Sequence, residues 1–140
     1  MNRAVVDASV WVSAVHRDSP HRADSAACLI RLRELQWEVV VPAIARVEVA
    51  CGLARRWRNP ARARRVSETL LRTAGATEQP LKRGSIERAL LLGTERFLRS
   101  GDAVYAAEAV SSGIPLISWD AEHIQRAGAM SPATWLLSHS

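Results

Sequence analysis

Short, continuous apolar runs alternate along the chain with stretches in which apolar residues return every three or four positions. Ala4 to Val6, stopped by Asp7, reads as a buried strand, and Glu38 to Val41, stopped by Pro42, reads as a second. Pro115 to Trp119 reads as a third, and weaker strand patterns over Thr77 to Leu81 and Thr134 to Leu137 suit sheet edges. Helical periodicity fills the intervals. Cys28, Leu32 and Leu35 fall at i, i+4 and i+7; Ile86, Ala89, Leu90, Gly93 and Phe97 trace a stripe; Ala103, Ala106, Ala107 and Val110 trace another after Gly101. Ile44, Val47 and Cys51 mark an apolar face with Glu48 on its border. Strands without alternation, separated by helices, predict an α/β protein with a mainly parallel sheet covered on both faces. With 140 residues, no internal repeat and no linker-like tract, a single domain over residues 1–140 is expected.

Composition narrows the class. No run approaches the roughly 18 to 20 apolar residues that a bilayer crossing needs, so a soluble protein without a membrane partner is expected. Cys28 and Cys51 sit far apart among apolar residues, with no CxxC or Cys/His cluster, and read as reduced core thiols, which suits a cytoplasmic setting. The net charge of +5 favours a polyanion partner, and its distribution says more than its size. Seven arginines lie between Arg46 and Arg65 against one acid, Glu48. Arg55, Arg56 and Arg58, with Trp57 among them, form either a solvated helix face or a ridge that grips phosphate beside an aromatic for base stacking. The four histidines, His16, His21, His123 and His139, lack metal-binding spacing and read as surface residues.

Candidate chemistry comes from acids placed by topology. In an open parallel sheet, ligands bind outside the carboxyl ends of the strands, where the following helices begin. Asp7 closes the first strand, and Glu48 lies less than two helical turns beyond the second. Asp102 opens a helix that runs away from this edge until Ser112 and Gly113 turn the chain, and the strand after Pro115 returns Asp120 to it. Asp7, Asp102 and Asp120 could singly be turn or capping residues. Glu48 resists that reading, because a carboxylate beside an apolar face needs a partner. Four crowded carboxylates repel, at about 3 kcal/mol for a pair roughly 6 Å apart in an effective dielectric near 20, so the cluster calls for a cation. Oxygen ligands without histidine or cysteine select Mg²⁺ or Mn²⁺ over Zn²⁺, and such an ion suits phosphodiester hydrolysis.

Val5-Val6-Asp7-Ala8-Ser9, Arg46-Val47-Glu48-Val49, Gly101-Asp102-Ala103-Val104-Tyr105-Ala106-Ala107 and Ile117-Ser118-Trp119-Asp120 resemble, in that order, the acidic motifs of PIN-domain ribonucleases. The length and the complete set resemble the VapC-type toxins of bacterial toxin-antitoxin pairs. The resemblance implies a three-layer α/β/α sandwich, Mg²⁺- or Mn²⁺-dependent endonuclease cleavage of RNA, a homodimer, and inhibition by a cognate VapB-type antitoxin. It makes Asp7, Asp102 and Asp120 metal-binding acids, with Glu48 supporting the ion directly or through water. Ser9 and Ser118 match the small hydroxyl positions beside the first and last acids. One departure is the Ala121-Glu122-His123 segment, where many relatives carry another acid and an aromatic.

Two other classes compete. A noncatalytic α/β RNA-binding or regulatory domain would use its acids as caps and its arginines on a polyanion, and retention of all four acids counts against it. A phosphoacceptor receiver domain needs a lysine at its site, whereas the one lysine here, Lys82, precedes a helix in a weakly defined region.

Overall fold

The computed structural model describes residues 1–140. Four strands, β1 (Arg3–Val6), β2 (Glu38–Pro42), β3 (Thr77–Gln79) and β4 (Leu116–Ile117), form one sheet in the order β3-β2-β1-β4, with every pairing parallel. Eight helices connect and flank them: α1 (Ala8–Val15), α2 (Arg22–Glu34), α3 (Ile44–Trp57), α4 (Pro60–Thr73), α5 (Arg83–Glu95), α6 (Ser100–Ser112), α7 (Ala121–Ala127) and α8 (Pro132–Ser138). Right-handed crossovers from β1 to β2 to β3 put α1 to α4 on one face. The connection from β3 back past β2 and β1 to β4 reverses direction and puts α5 and α6 on the other face, where α6 packs on β1, β2 and β4. The α/β/α sandwich expected above follows from this winding. The switch in strand order falls between β1 and β4, and a crevice at their carboxyl ends is where such folds bind ligands.

The strands are apolar on both faces because both are covered. Ala4, Val5, Val6, Val40 and Ile117 are sealed from water and share one core with Trp11, Leu32, Leu53, Tyr105 and Trp135. The indole N–H of Trp11 donates to the Val6 carbonyl at 3.1 Å, tying α1 to the end of β1 one residue before Asp7. No helix is long and apolar enough to cross a membrane.

Several sequence expectations are corrected. Thr134 to Leu137 is not a strand but part of α8, because Ser131 caps the helix by accepting the Thr134 amide and Pro132 starts its first turn. The third strand is shorter than Pro115 to Trp119, since its pairing with β1 covers Leu116 and Ile117 alone. On α3 the buried stripe is Ala45, Val49 and Leu53, while Val47 and Cys51 are exposed. The reading of both cysteines as core thiols therefore holds for Cys28, whose pKa burial pushes up to about 12, and fails for Cys51. On α5, Ala89 and Gly93 are buried, but Ile86 and Leu90, and Phe97 just past the helix, are exposed. Gly93 is required by close packing: a Cβ there would lie 2.7 Å from the Cβ of Ala103 on α6.

Candidate functional site

Each acid is delivered to the crevice by local structure. Asp7 caps α1, its Oδ2 accepting the Ser9 amide at 3.1 Å, and the backbone N–H of Asp7 donates to the Ile117 carbonyl, which locks it beside β4. Asp120 caps α7 through Oδ1, which accepts the Glu122 and His123 amides. Asp102 stands in the first turn of α6. Glu48, on α3, reaches the same place from the side. Its Oε2 lies 2.8 Å from where a Cβ of Gly101 would be, so only glycine lets α6 start this close to it.

Asp102 links two halves of the cluster. One ligand atom from each of Asp7, Asp102 and His123 lies within 4.8 Å of the others, and the same holds for Asp102, Asp120 and Glu122. Glu48 flanks the first group and feels the charges of Asp7 and Asp102. Ser118, fully buried, ties the acids together. Its hydroxyl donates to Asp7 Oδ2 at 3.1 Å and accepts the Asp120 amide at 3.0 Å, with His123 Nδ1 at 3.2 Å and Ser9 Oγ at 3.4 Å. Ser9 in turn accepts the Trp119 amide at 3.1 Å. Both serines thus hold the ends of β1 and β4 in register with the acids.

His123, read from the sequence as a surface residue, is fully buried in this cluster. Its Nε2 faces the Asp102 backbone carbonyl at 3.0 Å, and since a carbonyl only accepts, that nitrogen carries a proton. The ring therefore pins the start of α6 to the start of α7. The signal was position alone: His123 falls one helical turn after Asp120, on the inward side of α7. Arg99 was also missed. Its Nε lies 3.0 Å from Asp102 Oδ2 and 3.5 Å from Glu122 Oε2, and its Nη2 lies 2.5 Å from Asp120 Oδ2. An arginine three residues before an acid at a helix start is the visible hint.

The electrostatics divide the acids. Desolvation raises the pKa of Glu48 above its ordinary 4.5, and the charges of Asp7 and Asp102 raise it further against the lowering influence of Tyr105 and His123. Glu48 Oε1 and the Tyr105 hydroxyl are both cut off from water and neither makes a well-formed hydrogen bond, although the two groups are near enough for Tyr105 to hold the Glu48 pKa down. Desolvation also raises Asp102 above 3.8, more than His123 and Arg99 lower it. Asp120 goes the other way: desolvation is outweighed by the His123 amide, Arg99 and the Glu122 amide, which hold it below 3.8.

A raised carboxylate pKa penalises the folded state when both states are ionised. The penalty is full above the raised value and is relieved as pH falls through it toward the unfolded value. Asp120 instead contributes stability above 3.8 that is lost at lower pH. In EDTA, Glu48→Gln is therefore expected to melt above wild type at pH 7.5, with the difference shrinking as pH falls toward 5. A mutant melting lower at pH 7.5, or a pH-independent difference, would contradict the assignment.

The arginine ridge is split by the fold. Arg55 and Arg56 line a cavity shared with Glu48, Ser9 and Trp119. Trp57 packs against the core and is covered by the Arg62 guanidinium, 4.2 Å from its ring. Arg58 ends α3 in the left-handed conformation, φ 54°, and is exposed.

Residues 4–129 match the family model of the PIN domain. Among curated proteins none matches the sequence. The fold is similar to that of PAE2754 from Pyrobaculum aerophilum, at 24% identity and a TM-score of 0.73 over 98% of this chain and 88% of that one. It is also similar to VapC20 of Mycobacterium tuberculosis, described as a Sarcin-Ricin loop cleaving toxin, at 19% identity and a TM-score of 0.69 over 87% of this chain and 93% of that one. A third similar structure is VapBC2 from Rickettsia felis bound to a DNA fragment from its promoter, at 12% identity and a TM-score of 0.71 over 92% and 96% of the two chains.

Proposed function

The chain belongs to the PIN domain family, and on that premise we propose that it is a Mg²⁺- or Mn²⁺-dependent endoribonuclease acting as the toxin of a toxin-antitoxin pair. The observation that carries the reading is Glu48. A carboxylate oxygen sealed from water, without a well-formed hydrogen bond, and within the field of Asp7 and Asp102 is a poor arrangement for stability and a good one for a hard cation. The donors fit: Asp7, Glu48, Asp102 and Asp120 would hold the ion, all through oxygen. When bound, such an ion supplies Lewis acidity to the phosphodiester and acidifies water toward neutral pH.

The chain's own residues prepare that site. Ser118 and Ser9 fix the orientation of Asp7, leaving its Oδ1 free of strong hydrogen bonds. Arg99 balances the outer acids, and its side chain is two-thirds exposed, within reach of a substrate phosphate. Loss of a partner that orients a ligand costs roughly 10- to 100-fold in metal affinity or activity. Ser118→Ala is expected to fall in that range, measured as Mn²⁺ affinity by calorimetry. An unchanged affinity would mean that Asp7 is positioned by its backbone alone.

Toxin-antitoxin complexes among proteins of this fold support a cytoplasmic setting with a VapB-type antitoxin as partner. The exposed Ile86, Leu90, Leu91 and Phe97 on and after α5 support a homodimer. Expression of the wild-type gene alone in a bacterial host is expected to arrest growth. The adjacent small gene should relieve the arrest, and Asp7→Asn should be harmless. Equal toxicity of the mutant would remove the nuclease explanation, and failure of neighbouring gene products to bind the purified protein would remove the toxin-antitoxin assignment.

A further inference from the structure

A cavity of about 480 Å³ opens beside the carboxylates, between α1, α3 and the segment that follows β4. Glu48 and Ser9 form its inner end, so it is continuous with the proposed metal site. Val12 makes part of its floor, and α1 and α3 meet closely there: a Cβ on Gly52 would lie 3.1 Å from Val12 Cγ2. The volume falls within the range typical of sites that enclose a small molecule.

The chemistry of the walls is distinctive. Trp119, the residue before Asp120, stacks on His21 with ring centroids 3.8 Å apart and planes 12° from parallel, and its indole N–H is anchored to Ser25 Oγ at 2.7 Å. The pair is a rigid aromatic wall, with His21 exposed. His16, at the end of α1, lines this cavity, and its Nδ1 lies just beneath the surface, sealed from water and without a partner in the protein. A buried polar atom of that kind is rare unless a ligand or water completes it. Arg55 and Arg56 stand on the α3 side; Arg56 spends one N–H on the Gly52 carbonyl and keeps its other donors.

We propose that this cavity is a nucleotide subsite that selects the base next to the cleaved bond. Resting on the endoribonuclease reading, it takes one nucleotide of single-stranded RNA whose neighbouring phosphate lies at the carboxylates. The base packs against the His21 and Trp119 wall, the His16 imidazole turns its unpartnered Nδ1 outward to a polar edge of the base, and Arg55 and Arg56 hold phosphate. A paired strand keeps its bases stacked inward and cannot offer one to such a wall, so an unpaired segment is the substrate. Arginines give affinity without sequence preference, and a single directional hydrogen bond to a base edge gives preference. The two roles therefore separate experimentally.

The test uses the full-length Asp7→Asn protein and three fluorescent ten-nucleotide RNAs, all-A, all-C and all-U, in an anisotropy titration at several salt concentrations. Arg55→Gln with Arg56→Gln is expected to weaken binding to all three by a similar factor. It should also flatten the slope of log K against log salt by roughly 0.7 for each lost phosphate contact. His21→Ala should weaken all three by roughly fivefold or more. His16→Ala should compress the ratio between the best and worst RNA by roughly three- to tenfold, while changing their mean little. Because Arg55, Arg56 and His21 are exposed, their variants keep the test decisive even if the His16 change disturbs the end of α1. RNA binding that none of the variants alters would overturn the subsite and leave the nuclease reading standing. No binding to any RNA, with no cleavage by wild type, would overturn both. Variants that release the antitoxin but not RNA would make the cavity a protein-docking surface and overturn the proposal.

Discussion

Asp7→Asn is expected to reduce RNA cleavage by more than about 100-fold, beyond the range seen when only an outer partner of a metal ligand is lost. The reason is geometric as much as electrostatic. Asp7 Oδ2 is committed to the Ser9 amide and the Ser118 hydroxyl, and the asparagine carbonyl oxygen can keep both bonds. The amide nitrogen then occupies the place of Oδ1, which is the oxygen left for a cation, and an amide nitrogen cannot ligate one. Stability should not suffer. Removing one charge from beside Glu48 and Asp102 relieves repulsion, so the mutant should melt at or above the wild-type temperature in EDTA. Side-by-side cleavage gels and thermal melts check both halves. A folded mutant with near-wild-type activity would place catalysis elsewhere.

Trp11→Ala is expected to lose about 3 to 5 kcal/mol of stability, the range for emptying a large aromatic site in a core. Trp11 is wholly buried, and its N–H satisfies the Val6 carbonyl at the carboxyl end of β1. At a typical 2 to 8 °C for each kcal/mol, the melting temperature should fall by roughly 6 °C or more. A drop of only a few degrees, read by circular dichroism, would mean that the core refills around the cavity. The residue connects fold to site, since it anchors the strand end from which Asp7 projects.

Much of the site was legible because strand ends and helix starts are legible. Asp7, Asp102 and Asp120 occupy positions where a doubly wound parallel sheet assembles ligands, and the observed order β3-β2-β1-β4 puts the switch point between the strands that end at Asp7 and before Asp120. Glu48 was singled out by its place on the border of an apolar stripe, although that stripe was misread: α3 turns Ala45, Val49 and Leu53 inward and leaves Val47 and Cys51 on open grooves. What pattern could not show is which polar side chains point inward on short helices. The seven-residue α7 has too few turns to display a stripe, so His123 looked like a surface residue although it is fully buried. The wall of Trp119 on His21 joins residues almost a hundred positions apart, and only the closed fold brings them together. Ser131-Pro132, by contrast, was a readable helix start that apolar content over Thr134 to Leu137 obscured.

Dependence of RNA cleavage on a hard cation at the carboxylate cluster is the property on which the proposed function stands. Its most direct test is to strip the purified protein with EDTA, exchange it into metal-free buffer, and follow an unstructured RNA with and without added Mg²⁺ or Mn²⁺. The stripped protein is expected not to cleave, wild type to recover when either ion is added, and Asp7→Asn to show no comparable recovery. Cleavage that persists in EDTA, or equal recovery in wild type and mutant, would contradict that dependence.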